Sequence, residues 1–169
     1  MALALTLPEK IARLRADLRM GVGVVLFDAD QAVLVLAAET LSSARLADAR
    51  ALGPAVVAIT ARRAETLKAR AYDGDLARIK LPRDADIHWV QSIADPSGDL
   101  KNPMQGPHQS ARDGSADLHR AAVLLCKQAF LLPAALVVSV ADGPALATEL
   151  GLNTLDLTGA NALLATSSP

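Results

Sequence analysis

The sequence predicts an α/β domain, a mixed β-sheet with helices packed on it. Three observations carry that expectation. Short continuous apolar runs such as Ala55–Thr60 and Ala134–Val140 read as strands buried on both faces. They alternate with Ala-rich segments of helical spacing. The hydrophobic fraction is 51% but the aromatic fraction only 2%, so the core is built from Ala, Val, Leu and Ile, a composition suited to helices lying close on a sheet. A chain of 169 residues is the length of one domain and buries enough surface to fold without a disulfide or metal staple.

Pro8–Met20 is predicted as an amphipathic helix. Thr6 is placed to cap it, Pro8 sits in the first turn where a missing N–H is harmless, and Ile11, Leu14 and Leu18 recur at helical spacing before Gly21 stops it. Gly21–Phe27 then reads as a strand, Asp28–Gln31 as a tight polar turn and Ala32–Ala38 as the returning strand. Ser42 and Ser43 are capping candidates for a helix to about Leu52, broken by Gly53-Pro54. The Ala55–Thr60 strand leads into a helix over Ala61–Ala71. Short strands are expected at Arg78–Leu81 and Ile87–Gln91, followed by an irregular Pro- and Gly-rich loop from about 95 to 115. Leu118, Ala122, Leu125 and Ala129 mark a helix face; beyond Pro133 come the strand Ala134–Val140, a turn at Asp142-Gly143-Pro144 and a short helix Ala145–Leu150. A strand at Asn153–Leu157 and a final helical turn capped by Thr158 close the chain.

The net charge of −1 argues against a basic nucleic-acid-binding surface, and no apolar run has the length of a membrane span. The single cysteine, Cys126, excludes an internal disulfide and a multi-cysteine zinc site; a reducing, cytoplasmic setting is the simplest expectation.

The strand–turn–strand ending in Ala37-Ala38-Glu39-Thr40 resembles the start of 3,4-dihydroxy-2-butanone 4-phosphate synthase, the riboflavin-pathway enzyme acting on ribulose 5-phosphate. Asp99-Leu100-Lys101-Asn102-Pro103, with His108 after an insertion, is similar to the family's Asp-Leu and Asn-Arg-Pro-Gly-His segment, and further segments follow in family order to Glu149–Leu164. The family's first loop is long and rich in acidic residues and Arg, and carries the chemistry. Here it is a plain turn. The family holds magnesium with that loop and with the His of a Gly-His-Thr-Glu motif at a helix start; here that place reads Asp117-Leu118-His119-Arg120, and Arg120 stands where a Glu is expected. The sugar-phosphate motif Thr-Gly-(Val/Ile)-Ser-Ala-Ala-Asp-Arg has no counterpart.

The resemblance therefore implies a scaffold without its catalytic equipment. The vestigial catalytic candidates are Asp28, Asp30, Glu39, His108 and His119, each weighed against a plainer role in a turn, loop or helix. Arg62 and Arg63, at a strand-to-helix junction, are candidates for phosphate, with solvated arginines as the alternative. No metal or cofactor is expected, and Mg²⁺ enters only if the five candidates regroup into an active lyase. The family implies a homodimer. Degenerate domains of this type also precede GTP cyclohydrolase II domains, whose zinc cysteines this sequence lacks. The chain is thus expected to be one synthase-like domain over 1–169, the leading part of such a cyclohydrolase-type protein, with a structural or dimerising role; an anion-binding regulatory domain is the further alternative.

Overall fold

A computed structural model describes residues 1–100 and 107–158. Seven strands form a single mixed sheet in the order β5-β4-β3-β6-β2-β1-β7. Helix α1 (Leu7–Arg19) comes first, held by a capping box in which Thr6 Oγ1 accepts from the Glu9 N–H and Glu9 Oε1 accepts from the Thr6 N–H. Its Ile11, Leu14 and Leu18 are buried. Gly21 ends it at φ 77°; a Cβ there would lie 2.7 Å from the Thr40 carbonyl oxygen, so glycine answers both the backbone and the space.

Strands β1 (Val24–Phe27) and β2 (Ala32–Ala37) form the antiparallel hairpin, Val24 opposite Val35 and Phe27 opposite Ala32. Helix α2 (Ser43–Arg50) is capped by Ser42. Strand β3 (Ala55–Thr60) leads directly into α3 (Ala61–Thr66), capped by Thr60, and β4 (Leu76–Lys80) returns beside β3. Then follow α4 (Ile87–Ala94), a 3₁₀ turn (Pro96–Gly98), the two-residue strand β5 (Ser110–Ala111), α5 (Asp117–Gln128), β6 (Ala134–Val140), α6 (Gly143–Leu150) and β7 (Thr154–Asp156). β6 enters the middle of the sheet, antiparallel to both β2 and β3; β7 joins the far edge parallel to β1.

The central strands are buried on both faces, as their unbroken apolar runs require. One face carries α1 and α5, with Leu14, Leu18, Leu118, Leu125 and Cys126 packed on Val24, Leu26, Val35 and Val137. The other carries α2, α3, α4 and α6, where Leu46, Ala64, Val90, Ile93 and Ala147 meet Val25, Leu36, Ile59, Ile79 and Val138. Small residues allow the close approach: a Cβ at Gly143 would stand 2.9 Å from Ala32 Cβ and from Val25 Cγ1, so α6 begins directly against the hairpin.

Two expected elements differ. Ile87–Gln91 is the front of helix α4 rather than a strand. Asp86 caps it by accepting from the Trp89 N–H, and Val90, Ile93 and Ala94 bury one side. The helix expected over 61–71 stops at Thr66. Leu67 is its C-cap, Lys68 turns left-handed at φ 59°, and the Ala69 N–H returns to the Ala64 carbonyl, the bond that closes a helix end. The final helical turn beyond Thr158, and Lys101, Asn102 and Pro103 of the loop motif, lie outside the described residues.

Candidate functional site

The antiparallel order of β1, β2, β6 and β3 sends their connections to two opposite ends of the sheet. Asp28 and Asp30 lie in the hairpin turn at one end, and Glu39 lies beyond the other end of β2. Six strand residues, or roughly 20 Å at the usual rise, stand between them. The five candidates therefore do not converge.

Each has a local occupation. Asp28 Oδ1 accepts 2.9 Å hydrogen bonds from the N–H groups of Asp30 and Gln31, the plain role of Asp in a tight turn. Asp30 is exposed. Glu39 Oε1 accepts from the Leu132 N–H at 2.9 Å, tying the end of β2 to the entry of β6. His119 is buried under α5, where its Nδ1 has no partner among the described residues. Burial pushes its pKa down to about 4; the Arg78 charge lowers it further and Asp73 opposes. His108 meets the Trp89 ring edge-on at 6.3 Å, and burial, helped by Arg63, holds its pKa below the ordinary value. Cys126 is buried in the core and its thiol is pushed up to about 12, first by burial and then by Glu39, so it is a packing residue without thiolate character.

The two ends the resemblance nominates for chemistry do meet: Gln31 Nε2 donates to the Ser115 carbonyl at 3.2 Å, just before α5. Around that meeting point the charges pair among themselves. Arg78, only 4% exposed on β4, forks onto both oxygens of Asp73 at 2.9 and 3.1 Å and donates to the Asp113 carbonyl. Arg120 forks onto Asp75 at 2.7 and 3.0 Å and reaches Asp117 at 2.9 Å. The Arg120 hydrogen bond, with its charge adding, holds the Asp75 carboxyl below the usual range against burial.

Arg63 is committed in the same manner. It forks onto Asp99 at 2.7 and 2.8 Å and donates to the Ile93 and Ser92 carbonyls, clamping α3 to α4 and the 3₁₀ turn. Arg62 is exposed beside a 240 Å³ cleft floored by Ile59, Leu132 and Pro133. A larger cleft of 650 Å³ adjoins it, lined by Glu39, His88, Trp89, Ser92 and Asp95. Sequence reading missed Trp89, Asp99 and the Asp73–Arg78 pair. The Asp86 cap was the signal for the helix that presents Trp89; Arg63 and Asp99 are far apart in sequence and carried none, while Asp73 and Arg78, five residues apart, were a local hint.

No family profile matches the chain, and no curated protein matches it. Solved structures do. A cation-free 3,4-dihydroxy-2-butanone 4-phosphate synthase aligns over 94% of this chain and 98% of its own, with TM-score 0.68 and 16% identity. The chain has the butanone-phosphate synthase fold. A synthase in complex with two magnesium ions aligns over 97% and 98% with TM-score 0.66 and 16% identity. The two-domain synthase RibBX from A. baumannii aligns over 85% of this chain but 54% of its own, with TM-score 0.64 and 18% identity. At these identities the likeness concerns the fold.

Magnesium asks for several oxygen donors in octahedral array. Among the described residues, no three His, Cys, Asp or Glu side chains stand together to hold a metal ion. Asp28 is spent on its own turn, and Arg120 places a cation between Asp75 and Asp117. The described residues do not fit such an ion. No described helix is long and apolar enough to cross a membrane.

Proposed function

We propose that this chain is a non-catalytic domain on the synthase fold, serving a riboflavin-associated, GTP cyclohydrolase II type protein in the cytoplasm as a structural and dimerising unit. The single observation that supports this reading is the hairpin turn: four residues, Asp28–Gln31, replace the loop in which the resemblance places the chemistry, and the Asp28 carboxylate is consumed by that turn's own N–H groups. Fold alone assigns no activity; the state of these side chains is what favours a scaffold role. Exposed apolar side chains, Met20, Phe130 (91% exposed) and Leu150, offer contact surface for a second copy or a neighbouring domain.

The test is direct. The purified protein is incubated with ribulose 5-phosphate and Mg²⁺, and formate is followed. Release at the level of a protein-free control is expected; sustained turnover that disappears in Asp28→Ala would refute the reading. Sedimentation velocity tests the dimer: a monomer at all accessible concentrations removes that part.

A further inference from the structure

On the β4–β5 edge lies a cleft of 460 Å³ that the proposed scaffold role does not use and that shares only His108 with the candidates of the resemblance. Lys68, Arg70, Lys80 and Arg112 line it, and no carboxylate does, in a chain whose total charge is −1. The buried or half-buried arginines of this region, Arg63 and Arg78, are each forked onto an aspartate. The four cleft cations form no ion pair among the described residues. All four are exposed, and like charges gathered around a concave surface raise the local potential and concentrate anions.

The cleft is also held in shape. The Arg112 guanidinium stacks over the Tyr72 ring at 5.4 Å. Lys68 takes the left-handed backbone that a glycine usually takes at a helix end, an uncommon conformation for a side chain of its length. The Lys80 N–H bonds the Gln109 carbonyl at 2.7 Å, fixing β4 to the segment that carries His108 and Ser110. Both of those residues line the cleft, and both keep a buried polar atom, His108 Nε2 and Ser110 Oγ, with no hydrogen-bond partner among the described residues. Buried polar atoms are rarely left unpaired, because desolvation is not repaid.

We propose that this cleft binds a small, multiply charged oxyanion of the phosphate-ester or pyrophosphate class, with Lys68, Arg70, Lys80 and Arg112 supplying the charge. The cleft has the size for a phosphorylated metabolite rather than a polymer track. It is separate from Arg62 and from the hairpin end, so its occupancy and the absence of formate release are independent outcomes.

The experiment is calorimetric titration of the whole chain with inorganic pyrophosphate at fixed ionic strength, with inorganic phosphate and a single-stranded oligonucleotide as further probes. Saturable 1:1 binding of pyrophosphate is expected. The double variant Lys80→Gln/Arg112→Gln, at exposed positions that leave the core untouched, weakens it by at least about tenfold, the worth of losing charged hydrogen bonds. Pyrophosphate shifts the imidazole nitrogen resonances of His108, which lines the cleft. No saturable binding at millimolar pyrophosphate overturns the proposal. So does equal affinity in the double variant with unchanged circular dichroism, or a response to the oligonucleotide alone.

Discussion

The hairpin end and the β4–β5 edge use charge in opposite ways. At the hairpin end and the neighbouring start of α5, four aspartates already have partners: Asp28 its turn, Asp75 and Asp117 the Arg120 side chain, Asp73 the buried Arg78. At the edge, four cations stand without counter-ions among the described residues, around two unpaired buried polar atoms. A self-satisfied set of charges specifies structure. An unsatisfied set is a request for a ligand. The fold is that of a synthase, but its polar chemistry is distributed by this rule rather than by the family's motif positions.

The comparison breaks first, if it is wrong, at the Asp73–Arg78 pair. Asp73→Ala leaves a cation that is 4% exposed without its counter-ion, and a loss of about 3–5 kcal/mol is expected in urea unfolding. A loss near zero would show that the pair is not part of the scaffold.

The second effect is a pH dependence. His119 has a folded pKa lowered from 6.5 to about 4, so between those values the unfolded chain binds more protons than the folded one. Stability is complete above pH 6.5, falls as pH drops towards 4, and loses no more from this group below that. The full drop is roughly 3 kcal/mol at 1.36 kcal/mol per unit. His119→Gln should remove that slope; an unchanged slope would place the titrating group elsewhere.

Smaller effects sharpen the contrast. Asp28→Ala removes two backbone hydrogen bonds at the turn and should cost about 1 kcal/mol, with no gain or loss of any ribulose 5-phosphate reaction. Lys68→Gly relieves a left-handed lysine and should add up to about 1 kcal/mol while weakening pyrophosphate binding. Stabilisation together with lost binding is the signature of backbone strain kept for a function. Phe130, also left-handed (φ 62°) and exposed at the end of α5, is the matching position at which to test the proposed dimerising role.

Much of the fold was legible because local chemistry and tertiary packing agree. Thr6 and Pro8 mark the first helix start, Gly21 its end, and the apolar runs of β3 and β6 announce strands. The misread segment, Ile87–Gln91, gathers Ile87, Trp89 and Val90, residue types that favour strands, and so imitates one; the Asp86 cap and the continuation to Ile93 and Ala94 decide for a helix. The helix after Thr60 was overextended because nothing in Leu67-Lys68-Ala69 looks like a stop until the backbone is seen to turn. The resemblance located the fold and the nominated residues, but not their occupations, since the partners of Arg63 and of Glu39 come from separate segments. The basic cleft was hidden for the same reason. Lys68, Arg70 and Tyr72 alternate along the chain, a readable hint, but Lys80 and Arg112 join them only through the short β4–β5 pairing.

The most direct measurement sets both regions in one experiment: amide spectra of the ¹⁵N-labelled chain, titrated separately with Mg²⁺ and with pyrophosphate. The account predicts that pyrophosphate moves the resonances of Lys68, Lys80, Ser110 and Arg112, and that Mg²⁺ leaves Asp28–Gln31 and Asp117 where they are. Saturable Mg²⁺ shifts at Asp28–Gln31, with a cleft that ignores pyrophosphate, would contradict it.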